Sequence, residues 1–280
     1  GKCGVAMPAA VITPAKQFVM GKDRFEAAFK RIEAELDERL KFFASKGKLL
    51  EAQRIRERTE YDIEGVASFT APSKNTLWYT EAPGTNYNNW MEYSLPIGNG
   101  DFGGSVYGAV MNDKITVNEK SLWDGKSETN YSYAGYVKMG NVWVKNLSNA
   151  FENGVKNYVR YLDIDNAVAG VKFSDAQGTQ YERTYIASEP NKVMAVRYTA
   201  TGTNKLNLQF TYEPGGQLTS SSVSGQKPTT EYAVSGRVGT AKFNGKLPIV
   251  SYASQMTVKA TDGTVTEDYK GITVSNATEV

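Results

Sequence analysis

The chain has 280 residues, with 32 basic and 30 acidic side chains and a formal net charge of +2. This balance gives no electrostatic reason to expect a nucleic acid or an anionic membrane as a partner. Histidine is absent and cysteine occurs once, as Cys3, which excludes an intrachain disulfide, a zinc cluster and catalytic triads that depend on histidine. No apolar run is long enough for a membrane helix, so no membrane span is predicted.

The first part of the chain has the pattern of a helical hairpin. Residues 1–70 hold 24 charged residues, whereas the remaining 210 hold 38. The apolar positions recur at steps of three and four, as expected for one face of a helix. In the first helix they are Phe25, Phe29, Ile32, Leu36, Leu40 and Phe43, and in the second Leu49, Ala52, Ile55, Thr59 and Ile63. Gly47 lies between the two sets and is a typical helix stop. We predict a helical hairpin over 1–64 and a linker over 65–75.

The second part is rich in short, strand-like segments. All four tryptophans occur here, and segments with many Val, Ile, Thr and Tyr alternate with Gly-, Asp- and Asn-rich turns. One strand is predicted over 105–110, whereas the Gly- and Ser-rich stretch 213–240 is predicted as a long loop with at most one strand. Many short strands without intervening helices favour an antiparallel fold. The predicted fold class is therefore mainly β: a large antiparallel β-sandwich over 76–280, a supersandwich, preceded by the α-helical hairpin.

Two motifs could carry chemistry, but each has a simpler structural explanation. Gly98, Gly100 and Gly103 satisfy the dinucleotide-binding pattern, yet the sequence that follows is strand-like, where that site requires a helix. We therefore interpret these glycines as a tight turn. Asp163 and Asp165 would share one face of a strand, as paired catalytic carboxylates can, although capping of a turn is the favoured interpretation.

Aromatic and polar side chains cluster between residues 86 and 143, in the region with the most loops. Glu119 and Asp124 flank Leu122 and Trp123, where they could line a cleft. The predicted candidates for carbohydrate contact are Trp90, Asn99, Asp101, Glu119, Trp123 and Asp124. No catalytic residue, metal ligand or cofactor is predicted.

Several blocks of the second part are similar to the opening of family 95 glycoside hydrolases. They are LWYTE at 77–81, LPIGNGDFGG at 95–104, VNEKSLWDG at 117–125, YVRYLDIDNAVA at 158–169, YERTYIAS at 181–188 and VSYASQ at 250–255. The resemblance implies an N-terminal β-sandwich that supports a catalytic (α/α) toroid. It also implies that the catalytic groups for inverting hydrolysis of α-L-fucosides or α-L-galactosides belong to that toroid.

The first part resembles a different family, the bacterial excinuclease B subunit of nucleotide excision repair. The blocks that carry this resemblance are PAKQFV at 14–19, ELDERL at 35–40 and GKLLEAQRIRERTEYDIE at 47–64. The helicase motifs of that family do not occur in the chain, so ATP hydrolysis is not expected. Two unrelated resemblances that meet near residue 65 suggest a chimera.

The sequence thus predicts a non-catalytic β-sandwich of an α-L-fucosidase-like enzyme, inactive without a toroid. Its implied partners are fucosylated or galactosylated glycans, reached through the catalytic domain, with no nucleic acid expected for 76–280. The β-sandwich is expected to be secreted or periplasmic, whereas the helical segment resembles a cytoplasmic protein. Two alternatives remain open: a carbohydrate-binding module that acts by itself, and a fragment of a repair protein that acts through residues 1–64.

Overall fold

The computed structural model describes residues 22–83, 93–123, 136–152, 154–215 and 226–280. The chain divides into two units, residues 1–56 and 57–280, and each is described by itself. Trp90 and Asp124 lie outside the described residues. No helix within the described ranges is long and apolar enough to cross a membrane.

Two helices come first, α1 (Lys22–Ser45) and α2 (Leu49–Ser68). The stop predicted at Gly47 is confirmed, since its φ of 71° is in the left-handed region that glycine tolerates. Gly47 N–H donates to the Ala44 carbonyl and Lys48 N–H donates to the Phe43 carbonyl, which is the Schellman arrangement that ends a helix. Among the positions predicted to lie on the apolar helix faces, Leu36 is buried, whereas Ile32 and Leu49 are 41% and 69% exposed.

Fifteen strands are assigned in the described residues, together with one short 3₁₀ helix, η1 (Asn149–Phe151). The strands are β1 (Thr76–Tyr79), β2 (Leu95–Gly98), β3 (Phe102–Val106), β4 (Asn112–Glu119), β5 (Gly140–Asn146), β6 (Lys156–Asp163), β7 (Val168–Ser174), β8 (Gln180–Ser188), β9 (Val193–Thr201), β10 (Leu206–Pro214), β11 (Gln226–Ser235), β12 (Val238–Lys246), β13 (Ser251–Lys259), β14 (Thr264–Asp268) and β15 (Gly271–Ala277). The predicted fold class, a helical hairpin followed along the chain by a mainly β region, is confirmed.

The strands form three antiparallel sheets. One has the order β1-β6-β7-β8-β9, the second β14-β15-β10-β5-β4-β3-β2, and the third β11-β12-β13. The seven-stranded sheet packs against both of the others, because β2 contacts β6, β7 and β8 whereas β15 and β14 contact β11 and β12. The five-stranded and three-stranded sheets thus cover the same broad sheet.

The core lies between these layers and follows the period of two expected of half-buried strands. Along β10, Leu206, Leu208, Phe210 and Tyr212 are buried in alternation with more exposed residues. Each large apolar side chain that leaves water stabilises the fold by roughly 1.5–3 kcal/mol. The layers approach closely where β12 crosses β15: a β-carbon at Gly239 would come within 2.5 Å of Cγ2 of Ile272.

Two predicted boundaries are wrong. The strand expected over 105–110 ends at Val106, because the carbonyls of Ala109 and Val110 accept hydrogen bonds from the Arg183 side chain and so leave the sheet. The stretch 213–240, expected as a long loop with at most one strand, contains all of β11 together with the end of β10 and the start of β12. Strands β11 and β12 meet at a tight turn where Gly236 has a φ of 61°, which favours glycine.

Candidate functional site

The β2–β3 turn holds two of the candidate residues. Oδ1 of Asn99 accepts hydrogen bonds from the backbone N–H groups of Asp101 and Phe102, each at 3.0 Å. Nδ2 of Asn99 donates to the Ser188 carbonyl at the end of β8, also at 3.0 Å. Gly100, between Asn99 and Asp101, has a φ of 87°, which favours glycine. The Asn99 amide therefore braces the turn, and β3 follows it directly, which confirms that the glycine motif is a turn and not a dinucleotide site.

Asp101 is surrounded by charge. Its carboxylate accepts hydrogen bonds from Nζ of Lys120 and, at 2.6 Å, from Nζ of Lys192, which also lies 2.6 Å from Glu189. We call these four residues the turn ion cluster. The hydrogen bonds from Lys120 and then Lys192 lower the pKa of Asp101 to about 2. Asp101 is consequently ionised at neutral pH and cannot serve as a general acid.

Glu119 ends β4 and lies opposite Phe102 of β3. Its Oε2 accepts hydrogen bonds from the backbone N–H of Ser121 at 2.8 Å and from the Ser121 hydroxyl at 2.5 Å. Because Lys120 N–H donates to the Asp101 carbonyl at 2.9 Å, the end of β4 is attached to the β2–β3 turn. The structure thus brings Asn99, Asp101 and Glu119 to the same end of the seven-stranded sheet.

Trp123 follows this group and forms an aromatic pair. It makes an isolated antiparallel bridge with Tyr136, and the two rings meet edge to face with centroids 5.2 Å apart. Tyr136 is 68% exposed, whereas Leu122 next to Trp123 is buried. An exposed aromatic face beside polar groups can bind an amphipathic ligand such as a sugar. Whether these side chains contact carbohydrate stays a prediction.

Asp163 and Asp165 are held by a turn, as the favoured interpretation predicts. Asp163 accepts hydrogen bonds from Ser73 Oγ at 2.5 Å and from Asn166 Nδ2 at 2.7 Å. Asp165 accepts from Asn75 Nδ2 at 2.7 Å. The pKa of both carboxyls is lowered, mainly by the Asn166 and Asn75 hydrogen bonds respectively. A lowered pKa is the opposite of what a catalytic acid requires.

A second polar group occupies the outer face of the seven-stranded sheet. Glu213 accepts hydrogen bonds from Trp143 Nε1 at 2.8 Å and from Asn141 Nδ2 at 2.6 Å, and these bonds lower its pKa. Lys114 Nζ lies 5.2 Å from the centroid of the Trp143 ring, within the range of a cation–π contact. The Trp143 indole is therefore engaged at its N–H and against Lys114 within the fold.

Sequence reasoning missed a buried polar cluster between the layers. Arg183 on β8 donates to Asp113 on β4 at 3.1 Å, and the Tyr185 hydroxyl donates to the same carboxylate at 2.7 Å. The backbone N–H groups of Gly108 and Lys114 complete the bonding of Asp113 at 2.8 and 2.9 Å. We call Asp113, Arg183 and Tyr185 the inter-layer cluster.

Burial and charge compete in this cluster. Burial acts to lower the pKa of Arg183, but the Asp113 carboxylate raises it above its ordinary value, so the ion pair is retained. Burial also raises the pKa of Tyr185 well above its ordinary value. One sequence signal could have indicated the cluster. Side chains alternate between the two faces of a strand, so Arg183 must lie on the same buried face of β8 as Tyr181 and Tyr185.

The comparisons with known proteins divide the chain in the same way as its composition. Residues 77–139 and 126–280 match the glycosyl hydrolase family 65, N-terminal domain. The chain belongs to this family. This match confirms the expected N-terminal β-sandwich of a glycoside hydrolase, because the matched family is an N-terminal domain of such enzymes. In the described residues, no group of three or more Cys, Asp or Glu could hold a metal ion.

The helical part matches the UvrB third helical domain over residues 23–71. UvrABC system protein B of Carboxydothermus hydrogenoformans is 57% identical over 53 residues, which cover 19% of this chain and 8% of that protein. The Lactococcus lactis protein of the same name is 58% identical over 53 residues, with the same coverage. The Streptococcus pyogenes serotype M6 protein is 43% identical over 86 residues, covering 31% of this chain and 12% of that protein.

The chain thus spans about a tenth of the length of these UvrB relatives. Its glycosyl hydrolase match begins at residue 77, after the UvrB match has ended at residue 71. The predicted UvrB-like segment is therefore confirmed, the predicted glycoside hydrolase resemblance is confirmed as far as an N-terminal domain of such an enzyme, and the arrangement is consistent with a chimera.

Proposed function

We propose that the β-sandwich is the non-catalytic N-terminal domain of an α-L-fucosidase-type enzyme of glycoside hydrolase family 95. Its role is to support a catalytic (α/α) toroid and to shape one wall of the substrate cleft. The observation that carries the proposal is the glycosyl hydrolase N-terminal family match over 77–280. The blocks at 95–104 and 117–125 favour family 95 within that broader assignment. The proposed enzyme is secreted or periplasmic and acts on fucosylated or galactosylated glycans.

The carboxylates of the described residues support a role without chemistry. An inverting glycosidase needs one carboxylic acid with a raised pKa and a second group about 6.5–9.5 Å away that activates water. Every described Asp or Glu whose pKa departs from its ordinary value shifts downward. These are Asp101, Asp163, Asp165, Asp175, Glu213 and Asp262.

Fucose release by the purified chain tests the catalytic part of this proposal. An aryl α-L-fucoside and a 2-linked fucosyl oligosaccharide would be incubated with residues 1–280, and free fucose would be measured. No release above a heat-denatured sample is expected. Measurable release by the native chain would overturn the assignment of catalysis to a toroid.

Co-expression tests the specific family. The full chain would be expressed with a family 95 toroid that lacks its own β-sandwich and, as the matched control, with a family 65 toroid prepared in the same way. The soluble yield and activity of the family 95 toroid are expected to rise, with no gain for the family 65 toroid. The reverse pattern would contradict the α-L-fucosidase assignment while leaving the N-terminal domain family intact.

The second candidate function is carbohydrate binding by the sandwich itself, which the partly exposed Trp123–Tyr136 aromatic pair favours. Calorimetric titration with fucosylated and galactosylated oligosaccharides separates it from pure support. A binding module should release heat that Trp123→Ala removes. Tyr269→Ala is the matched control, since this aromatic side chain is 86% exposed on a separate hairpin. A pure support domain should give no heat with any of these proteins.

The third candidate is contact with repair proteins through residues 1–64, which the UvrB similarity favours. The full chain, immobilised, would be exposed to purified excision-repair proteins. Capture that is lost when Arg54 and Arg56 are both changed to Glu would support this candidate. These two side chains are exposed on α2, so their replacement should leave the helix intact. Recovery of no partner would remove the candidate.

A further inference from the structure

A pocket of about 590 Å³ opens beside β1 and β6, at one edge of the five-stranded sheet, and Arg160 is part of its lining. Arg160 lies on β6 directly opposite Tyr79 of β1, so the two side chains project to the same face. The guanidinium carbon lies 4.2 Å from the centroid of the Tyr79 ring, within the range of a cation–π contact. Arg160 is only 1% exposed. The wall of the pocket therefore contains a nearly buried cation.

Backbone carbonyls hold two of the three guanidinium nitrogens of Arg160. Its Nε donates to the Glu81 carbonyl at 2.9 Å, and its Nη1 donates to the Tyr93 carbonyl. Its Nη2 has no acceptor among the described residues. Because a guanidinium has five N–H groups, these two bonds leave three N–H groups, two of them on Nη2, for another partner.

Arg183, the other buried arginine in the described ranges, has a similar environment with one addition. Its side chain also donates to two backbone carbonyls, those of Ala109 and Val110, and also lies close to an aromatic ring. The addition is the Asp113 carboxylate, 3.1 Å from Nη1 of Arg183. No ion pair within the described part of the chain includes Arg160. Arg160 thus has the carbonyls and the ring but lacks the carboxylate.

The missing carboxylate matters because a buried cation is unfavourable without a counter-ion. Burial is the main cause that lowers the pKa of Arg160, and the groups that act against it are the hydroxyls of Tyr158 and Tyr79, not a carboxylate. In Arg183, by contrast, the Asp113 carboxylate raises the pKa above its ordinary value. Where Arg183 has a counter-ion, Arg160 has an open pocket.

The remaining lining residues restrict the kind of anion that fits. A planar carboxylate can accept two parallel N–H bonds from a guanidinium. Glu81 also lines the pocket, and its exposed acidic side chain disfavours a ligand with two negative charges, such as phosphate. Tyr93 is 44% exposed, and Thr80 adds a hydroxyl to the lining. An exposed aromatic side chain beside polar groups suits an amphipathic ring such as that of a sugar.

We propose that the pocket beside β1 and β6 binds a uronic acid, a sugar ring that carries one carboxylate, and that this carboxylate is the counter-ion of Arg160. The carboxylate accepts hydrogen bonds from the N–H groups of Arg160 that the protein leaves unused, and the ring packs on Tyr93. The volume of the pocket is in the range of small-molecule sites. None of the described candidates for carbohydrate contact lines it, so the proposal is independent of the fucosidase assignment.

Calorimetric titration of the full chain at neutral pH tests this proposal, with D-glucuronate as the probe and D-glucose as its neutral counterpart. Heat is expected with glucuronate only. Arg160→Met should weaken the binding of glucuronate at least about tenfold, because it removes hydrogen bonds to a charged group. Arg237→Met is the matched control, since it removes the same charge from an exposed side chain in the β11–β12 turn and should leave the affinity unchanged.

Four results would contradict the proposal. They are no heat with glucuronate, equal heat with glucuronate and glucose, unchanged binding by Arg160→Met, and inorganic phosphate that binds as tightly as glucuronate. If Arg160→Met fails to fold, Glu81→Gln provides a second measurement at an exposed position. Removal of this negative charge from the pocket should tighten the binding of glucuronate by roughly two- to fivefold. An affinity that Glu81→Gln leaves unchanged or weakens would place the ligand outside this pocket.

Discussion

The inter-layer cluster and the turn ion cluster use the same pairing of carboxylate and cation in two different environments. The side chains of Arg183 and Asp113 are 5% and 0% exposed, whereas Lys192 and Asp101 are 54% and 32% exposed. Removal of a charge from water costs several kcal/mol unless every partner is present, whereas an exposed pair is screened and contributes little. The comparison indicates that the buried cluster stabilises the packing of one sheet on the other. The exposed cluster mainly determines the ionisation of Asp101.

The largest effect is expected from Asp113→Ala. This change leaves the Arg183 guanidinium buried without its counter-ion and leaves the N–H groups of Gly108 and Lys114 without an acceptor. A loss of about 3–5 kcal/mol in the free energy of unfolding is expected. Urea denaturation followed by tryptophan fluorescence measures it. Asp113→Asn retains an acceptor and should lose less, and an Asp113→Ala protein as stable as the parent would show that burial does not separate the two clusters.

Replacement of both charges should be milder than the sum of the single losses. The double variant Asp113→Leu with Arg183→Met exchanges an ion pair for apolar side chains, so no buried charge remains unpaired. A double-mutant cycle with Asp113→Leu and Arg183→Met alone should give a coupling of roughly 1–3 kcal/mol. Additive losses would mean that Arg183 and Asp113 act independently, even though 3.1 Å separates their atoms.

A smaller effect is expected at Tyr185, whose hydroxyl donates to Asp113 at 2.7 Å. Tyr185→Phe removes a hydrogen bond to a charged acceptor and should cost about 1.5–3 kcal/mol. Tyr252→Phe is the matched control because, in the described part of the chain, the Tyr252 hydroxyl is buried without a hydrogen-bond partner. Its removal should be neutral or slightly stabilising in the same denaturation experiment. Equal losses in both variants would indicate a packing effect instead of the hydrogen bond.

The two clusters also differ in how far the sequence predicts them. Asp101 and Asn99 lie in a glycine-rich turn, a local pattern, and the alternation of Leu206, Leu208 and Phe210 similarly predicts a half-buried strand. Asp113 pairs with Arg183 across 70 residues of sequence, and no local pattern identifies its partner. For the same reason the strand expected over 105–110 extends too far in the prediction. Its true end depends on hydrogen bonds from the distant Arg183 side chain to the carbonyls of Ala109 and Val110.

Long-range pairing also explains the lysines that the sequence did not predict. Lys192 is the last residue of the β8–β9 turn and reaches Asp101 only because β8 ends beside the β2–β3 turn, where Asn99 bonds to Ser188. The helical hairpin is easier to predict from the sequence, since the helical spacing of its apolar residues and the stop at Gly47 are local features. Ile32 and Leu49, which belong to its predicted apolar faces, are nevertheless 41% and 69% exposed, because apolar character alone does not place a side chain in a core.

The smallest effect is expected at the turn ion cluster, where the ionisation of Asp101 should change without a detectable change in stability at neutral pH. Lys120 and Lys192 lower the pKa of Asp101 from 3.8 to about 2. A carboxyl with a depressed pKa stabilises the folded state above its unfolded pKa and loses that contribution as the pH falls toward the folded value. The window is therefore about pH 4 to 2. Titration of the Asp101 carboxyl carbon by NMR should give a midpoint near 2 that rises in Lys120→Met, in Lys192→Met and at high salt. A midpoint near 3.8 in the parent chain, or one that neither lysine affects, would show that the exposed cluster does not even set the local charge.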